Sequence, residues 1–305
     1  MTTVFERMGV PIDLGERRFL HPGPLRWLRA SAWIVVLVVV TALIGYGAVI
    51  FAEKLLDPWG GPGKLVASVI GAAVTLALYA ALVRLAEGRK ADEIALHAAI
   101  PGILAGLAIG AAVFATVMIV LIGSGLYDFT WRGPASAWTG VSLSVQSGVI
   151  EEVIARGVLM RLTWRAFGPW AAFIVSAAVF GGGHFGNPNA SAWAAVCIAV
   201  EAGLLLCAFY ALTGRLWVSI GLHAGWNFTQ GYLFGAAVSG TDFGGAIATS
   251  TARAGLPAWL TGGAFGPEAS LPALVICTSV GLVTTWMAWK AGRFATATPV
   301  PARTA

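Results

Sequence analysis

The amino-acid sequence predicts an all-α fold: a polytopic membrane helical bundle of about eight transmembrane helices with its N-terminus on the cytoplasmic side. Three observations predict it. Of the 305 residues, 58% are hydrophobic and 11% charged, where a soluble domain carries about a quarter charged residues; mean hydropathy is +0.80. Apolar runs of the ~20 residues that cross a ~30 Å hydrocarbon core recur at roughly 32–55, 65–86, 97–123, 138–163, 169–187, 191–212, 216–238 and 271–292. The net charge of +5 comes from basic residues gathered in short segments between those runs, not from a stripe. That distribution argues for cytoplasmic loops and against a nucleic-acid partner.

The chain begins with a basic leader, residues 1–30, which carries Arg7, Arg17, Arg18, Arg26 and Arg29 among Pro11, Pro22 and Pro24. The first apolar run starts too late and runs too long for the core of a cleavable signal peptide. The leader is therefore expected to lie on the headgroups, with the first run as an uncleaved anchor. Residues 31–295 form the bundle and 296–305 a cytoplasmic tail. With the N-terminus inside and eight crossings, 14 Lys and Arg fall on the cytoplasmic side and only Lys54, Lys64, Arg132 and Arg253 outside, leaving Arg156 within a span. The positive-inside bias favours that arrangement over the inverted one or an odd number of spans.

In the third run, Gly102, Gly106 and Gly110 make a smooth face for close backbone approach, and packing within the chain is expected rather than homodimerisation. Segment 239–270, rich in Gly, Ala, Ser and Thr, reads as an extracytoplasmic loop. Trp131, Trp138, Trp170 and Trp217 stand near span ends, where interfacial anchors belong. Cys197, Cys207 and Cys277 lie in apolar runs without C-x-x-C spacing, which argues against disulfides and zinc-thiolate sites. No inverted repeat suggests a transporter.

One run breaks the apolar pattern. Glu151, Glu152 and Arg156 sit inside the fourth, where an ionisable group costs several kcal/mol without a partner or water and so marks a functional site. Neighbouring side chains diverge by ~100°, so the two glutamates cannot share a task. Glu152 and Arg156, four apart, face the same way and suit an ion pair, which leaves Glu151 projecting alone. His184 follows three glycines on the fifth run, and His223 and Asn227 share a face of the seventh. A carboxylate, two imidazoles and a carboxamide from three helices suit hydrolysis: a buried glutamate takes a proton from water, a histidine orients it, and two donors hold the oxyanion. Alternatively, the glutamate and histidines bind a metal ion whose water attacks. No H-E-x-x-H is present. Glu201, deep in the sixth run, has no obvious partner; cavity lining, adjustment of Glu151 or His184, and pairing with Arg215 are its three readings.

The ordered motifs Glu151-Glu152-x-x-x-Arg156, Phe180-x-x-x-His184 and His223-x-x-x-Asn227 resemble those of the CPBP intramembrane proteases, which include the type II CAAX prenyl endopeptidases and lysostaphin-resistance-protein-A-like proteins. The stretch Thr213-Gly214-Arg215-Leu216-Trp217 leading into Ile220-Gly221-Leu222-His223 also looks like the bacterial members. The resemblance covers about residues 138–232, the catalytic core. It implies a membrane protease whose site opens to the cytoplasm through a cavity. By motif position, Glu151 and His184 would activate water, His223 and Asn227 would form the oxyanion hole, and Glu152 and Arg156 would support them. The cofactor stays open: either a divalent metal such as zinc, held by Glu151, His184 and His223, or none. The Ala- and Gly-rich composition looks bacterial, so the prenylated CAAX substrate of eukaryotic relatives is not carried over; some bacterial relatives act in bacteriocin self-immunity or membrane-protein processing.

The expected function is thus an endopeptidase in the cell inner (plasma) membrane that cleaves a membrane-associated protein or peptide. The alternatives are a non-catalytic scaffold or immunity-type protein that binds through the same cavity, and proton-coupled transport.

Overall fold

The computed structural model describes residues 9–294, so the expected tail at 296–305 lies outside the described residues. Each apolar run becomes a helix, because a chain in hydrocarbon must satisfy its backbone hydrogen bonds within itself. In order these are α1 (Arg26–Leu56), α2 (Gly60–Leu82), α3 (Ala99–Gly123), α4 (Trp138–Glu152, π-helical Val153–Met160 and Arg161–Phe167), α5 (Pro169–Gly183), α6 (Ala192–Ile198, π-helical Ala199–Gly203 and Leu204–Thr213), α7 (Leu216–Phe228 with a π turn, Thr229–Leu233) and α8 (Leu271–Lys290).

By length and composition, four stretches among the described residues suffice to cross a membrane: Arg26–Glu87, Leu96–Gly123, Ala192–Thr213 and Leu271–Lys290. The first spans two helices. Asp57-Pro58-Trp59 forms a 3-10 turn and Gly60 adopts φ +59°, so a proline without a donor and a glycine in the left-handed region reverse the chain. Helices α4, α5 and α7 fall short of that measure. They carry the charged and polar residues of interest, or are too short.

Packing of α3 on α7 fixes much of the core. A Cβ on Gly106 or Gly110 would collide with the Val218 or Leu222 carbonyl, and one on Gly221 or Gly225 with Ile103 or Leu107. Reciprocal glycines therefore seat two backbones against each other, the intramolecular contact anticipated for the Gly102-Gly106-Gly110 face. Residues of α7 two positions on, His223 and Asn227, are turned away from α3. Gly148 does the same between α4 and α7: its Cβ position lies 3.1 Å from Ile220 O, which brings the next turn of α4, with Glu152, to His223.

Strands and a folded loop depart from an all-α expectation. β1 (Tyr127–Trp131) pairs antiparallel with β2 (Ala248–Ala252), Phe129 opposite Ser250, so segment 239–270 contains a strand, a helical turn at Ala258–Thr261 and a 3-10 turn at Pro267–Ala269. α1 starts at Arg26, inside the expected leader, and residues 9–25 strap across the basic end of the bundle. Val10 N–H bonds Thr213 O, Arg18 Nη1 bonds Leu85 O at 2.6 Å, Arg293 Nη2 bonds Gly9 O at 2.8 Å, and Arg165 reaches Leu20 O. Trp217 is buried, not interfacial; its indole N–H bonds Ala95 O. Trp131, Trp138 and Trp170 are exposed. All three cysteines are buried and free.

Under the strap lies a closed ionic cluster. Arg161 grips Glu87 with two guanidinium nitrogens at 2.7 and 2.9 Å and donates Nε–H to Gly157 O. Arg89 holds both Glu93 oxygens at 2.8 and 2.9 Å and reaches Glu87 at 2.8 Å. Tyr79 donates to Glu93, and the Trp33 indole to Glu87 at 3.0 Å.

Candidate active site

The second polar cluster lies near the middle of the bundle, where α4, α5, α6 and α7 meet. Glu152 is fully buried and its Oε1 accepts from Arg156 Nη1 at 2.8 Å, the ion pair the i, i+4 spacing predicts. The same oxygen stands 3.0 Å from His223 Nδ1, a contact the spacing does not reveal because it joins two helices. Arg156 has two further attachments. Its Nη2 reaches the Ala202 carbonyl at 3.2 Å, and its guanidinium covers the Phe180 ring 4.4 Å from the centroid, a cation–π contact. One arginine thereby ties α4, α5 and α6 together.

Glu151 points elsewhere, as neighbouring residues on a helix must. Its side chain is 29% exposed and its Oε2 lies 4.0 Å from His223 Nε2. The two histidine nitrogens thus face one carboxylate each. Asn227 Nδ2 donates to Ser147 Oγ at 2.9 Å, and Ser147 sits one turn before Glu151. His184 ends α5, with Nδ1 2.7 Å from the Phe180 carbonyl. A carbonyl only accepts, so Nδ1 carries the hydrogen and a neutral His184 keeps its Nε2 lone pair free.

Two cavities adjoin at Phe180 and His184. The larger, ≈ 360 Å³, is walled by Ile154, Ala155, Leu159 and Val179 with Glu151 and Tyr46. The smaller, ≈ 30 Å³, is lined by His184, His223 and Asn227 together with Glu201 and Glu268, which is room for one or two water molecules. Glu201 settles into one of its three readings: it lines the cavity. Pairing with Arg215 does not occur, since that side chain bonds the Asp92 carbonyl at the basic end. Both Glu201 oxygens, Oε1 of Glu268 and Oε2 of Glu152 are buried without a hydrogen-bond partner among the described residues.

Three of the four site helices change to π geometry beside these residues: Val153–Met160 directly after Glu152, Ala199–Gly203 around Glu201, and Thr229–Leu233 directly after Asn227 and Phe228. Such widened turns recur at functional sites because they redirect side chains at the cost of regular hydrogen bonding.

Tyr46, Ser147 and Glu268 were not singled out by sequence reasoning. Ser147 had a signal, standing i−4 from Glu151 on the same face. Tyr46 and Glu268 had none, because they belong to an apolar helix and a Gly-rich loop far away in sequence. Burial raises the Glu268 carboxyl above its ordinary value, and the hydrogen bond from Ser239 and the charge of His184 offset this in part.

Among the described residues no three His, Cys, Asp or Glu side chains are grouped to hold an ion. His184 and His223 each commit Nδ1 to an acceptor, which leaves Nε2 as the one ring nitrogen that either could offer to an ion.

Residues 133–229 match the family model of the Type II CAAX prenyl endopeptidase Rce1-like proteins. The matched third of the chain contains every motif residue named above, and over that segment the chain is similar to the CAAX-type prenyl endopeptidases. Neither a curated protein nor a solved structure matches the chain.

Proposed function

From this similarity and the geometry of the site we propose that the protein is an intramembrane endopeptidase that hydrolyses a peptide bond of a membrane-associated protein or peptide, by water activated at Glu151 and His184. The observation that carries the proposal is the shared use of Glu152, whose one oxygen orients both Arg156 and His223. A residue held from two sides fixes a third, and His223 in turn faces Glu151.

The chemistry follows from the free atoms. Glu151, at the floor of the larger cavity, and the Nε2 lone pair of His184 take a proton from water while its oxygen bonds to the carbonyl carbon. The carbonyl electrons move to the oxygen, which becomes an oxyanion. His223 donates Nε2–H to it only if both ring nitrogens carry protons, and the two flanking carboxylates balance that charge. Asn227 supplies the second donor, with Ser147 holding the amide in place. Each such donor is worth ~3–4 kcal/mol in the transition state. Collapse breaks the C–N bond, and the proton held at Glu151 and His184 passes to the leaving amine.

Eight helices crossing the plasma membrane, with the N-terminus cytoplasmic, complete this reading. The side chains of Arg18, Arg89, Arg161, Arg165, Arg215 and Arg293 gather at one end of the bundle, which supports assigning that end to the cytoplasm.

The test is turnover of a peptide library by the purified protein in detergent. Glu151→Gln and His184→Ala should each lower kcat/KM ~10²–10⁴-fold, the usual contribution of general acid–base groups, with melting temperature unchanged. Equal cleavage by the variants and the parent would refute the assignment. Retained biological activity in Glu151→Gln would instead favour a binding scaffold.

A further inference from the structure

Two carboxyl groups border the smaller cavity without a part in the hydrolysis: Glu201 of α6 and Glu268 of the loop between α7 and α8. Both are at most 2% exposed. They are brought there by separate devices. The π turn Ala199–Gly203 carries Glu201. Glu268 rides on the 3-10 turn Pro267–Ala269, which the Trp193 indole pins by donating to Ala269 O at 2.8 Å. The loop is fastened beside it, with Gly240 N–H on Phe265 O at 2.6 Å and Asn187 Nδ2 on Ser239 O at 3.1 Å. A segment distant in sequence thus closes the cavity and delivers a second carboxyl into it.

Both Glu201 oxygens and Glu268 Oε1 have no hydrogen-bond donor among the described residues, and neither lysine nor arginine lines the cavity. Burying such oxygens unpaired is unfavourable, so three in one small space call for a ligand that donates hydrogen bonds. The volume of ≈ 30 Å³ excludes a peptide side chain. Water fits: it needs ~10–15 Å³ and two to four polar partners, which the carboxyl oxygens, His184 Nε2 and the Asn227 amide offer. The remaining walls, among them Leu205, Leu206 and Leu222, are apolar and direct water to the carboxyl groups.

Hydrolysis consumes one water per turnover in surroundings that supply little. Hydrocarbon around the helices holds none, and a peptide seated against Ile154, Leu159 and Val179 in the larger cavity expels what was there. The two cavities share Phe180 and His184 as a common wall. We propose that Glu201 and Glu268 hold a water store behind His184, from which the attacking water is drawn once the peptide fills the larger cavity. Both carboxyl groups are positioning residues: they bond the stored water, and His184 passes it to the reacting carbonyl. This inference rests on the hydrolase reading and names the source of its second substrate.

The test is radiolytic footprinting of the full chain in detergent, in which X-rays split bound water into hydroxyl radicals that oxidise the side chain beside it. Trp226 is buried and lines the smaller cavity but not the larger, and should be oxidised; Trp164, buried and lining neither, should not. Glu201→Met and Glu268→Met replace the acceptors by an apolar chain of similar length, at two positions so that one survives if the other misfolds. Each should abolish Trp226 oxidation and lower kcat about 10²-fold, the penalty for a misplaced reactant, at unchanged KM. Glu201→Gln keeps an acceptor and should recover most of both losses. An unoxidised Trp226 in the parent, oxidation that survives both Met variants, or a raised KM in place of the kcat loss overturns the proposal. So does a melting temperature that rises with Na+ or K+ at constant ionic strength, which would assign the cavity to a cation. Footprinting needs no turnover, so it still decides whether the store exists if Glu151→Gln proves fully active and the hydrolase reading fails.

Discussion

Helix α4 carries two buried charge clusters, and they are finished differently. At the basic end, Arg161 spends Nε, Nη1 and Nη2 on Gly157 and Glu87, and Glu93 has both oxygens bound by Arg89. Two turns away, Glu152 Oε2, Arg156 Nε and both oxygens of Glu201 have no partner. Burying an unpaired polar atom costs ~1–3 kcal/mol, so the first cluster is arranged for stability and the second gives stability up. The difference distinguishes structure from function better than charge or burial, which the two clusters share.

The largest test of the contrast is Arg161→Leu, which removes the two-pronged partner of buried Glu87 and leaves that carboxylate only Arg89 and Trp33. Removing one partner of a buried pair costs ~3–5 kcal/mol, and the detergent-solubilised protein should melt at a correspondingly lower temperature; an unchanged midpoint would mean the cluster is not structural. A smaller and opposite effect is expected at Glu201→Gln. A neutral amide replaces a carboxyl without partners, so stability should hold or rise by up to ~2 kcal/mol, and a loss like that of Arg161→Leu would show that Glu201 is paired.

The smallest test uses pH, and its sign differs between the two ends. Burial would raise the Glu93 carboxyl, but the hydrogen bonds and charge of Arg89 and the charge of Arg161 outweigh it and hold it below 4.5. Its contribution is therefore full above that value and is lost as pH falls through the lowered one. Glu268 is raised above 4.5, chiefly by burial. Its contribution is full below 4.5 and is lost as pH rises through the raised value. Chemical-denaturation midpoints followed against pH should show Glu93→Gln flattening the acid limb and Glu268→Gln the neutral one; the same limb responding to both would break the comparison.

How much was legible in advance follows from range along the chain. The Glu152–Arg156 pair and the divergence of Glu151 are properties of one helix, so spacing alone gives them. The His223–Glu152 bond, the Gly106–Val218 contact and the Glu201 cavity join distant segments, and only the third dimension reveals them. The β1–β2 pair escaped for a related reason. Its strands are five residues each and separated by more than a hundred; Tyr127–Trp131 alternates apolar and polar residues, but its partner Ala248–Ala252 has no large apolar residue to mark it as a strand. Hydropathy over a span-length window finds α6 despite Glu201 and misses α4 and α7, which carry polar residues, and α5, which is only 15 residues long.

The widened stretch Val153–Met160 lies between the two clusters on α4. A π turn holds more residues than an α turn, so it behaves as a phase shift in the rotation of the helix. Everything after it is turned relative to everything before. Shortening it by one residue to α periodicity would swing Arg161 by ~100° about the helix axis relative to Glu151 and Glu152, so that the carboxylates could face their cavities or the arginine its clamp, not both. One irregular turn allows a single rod to serve two unrelated neighbourhoods.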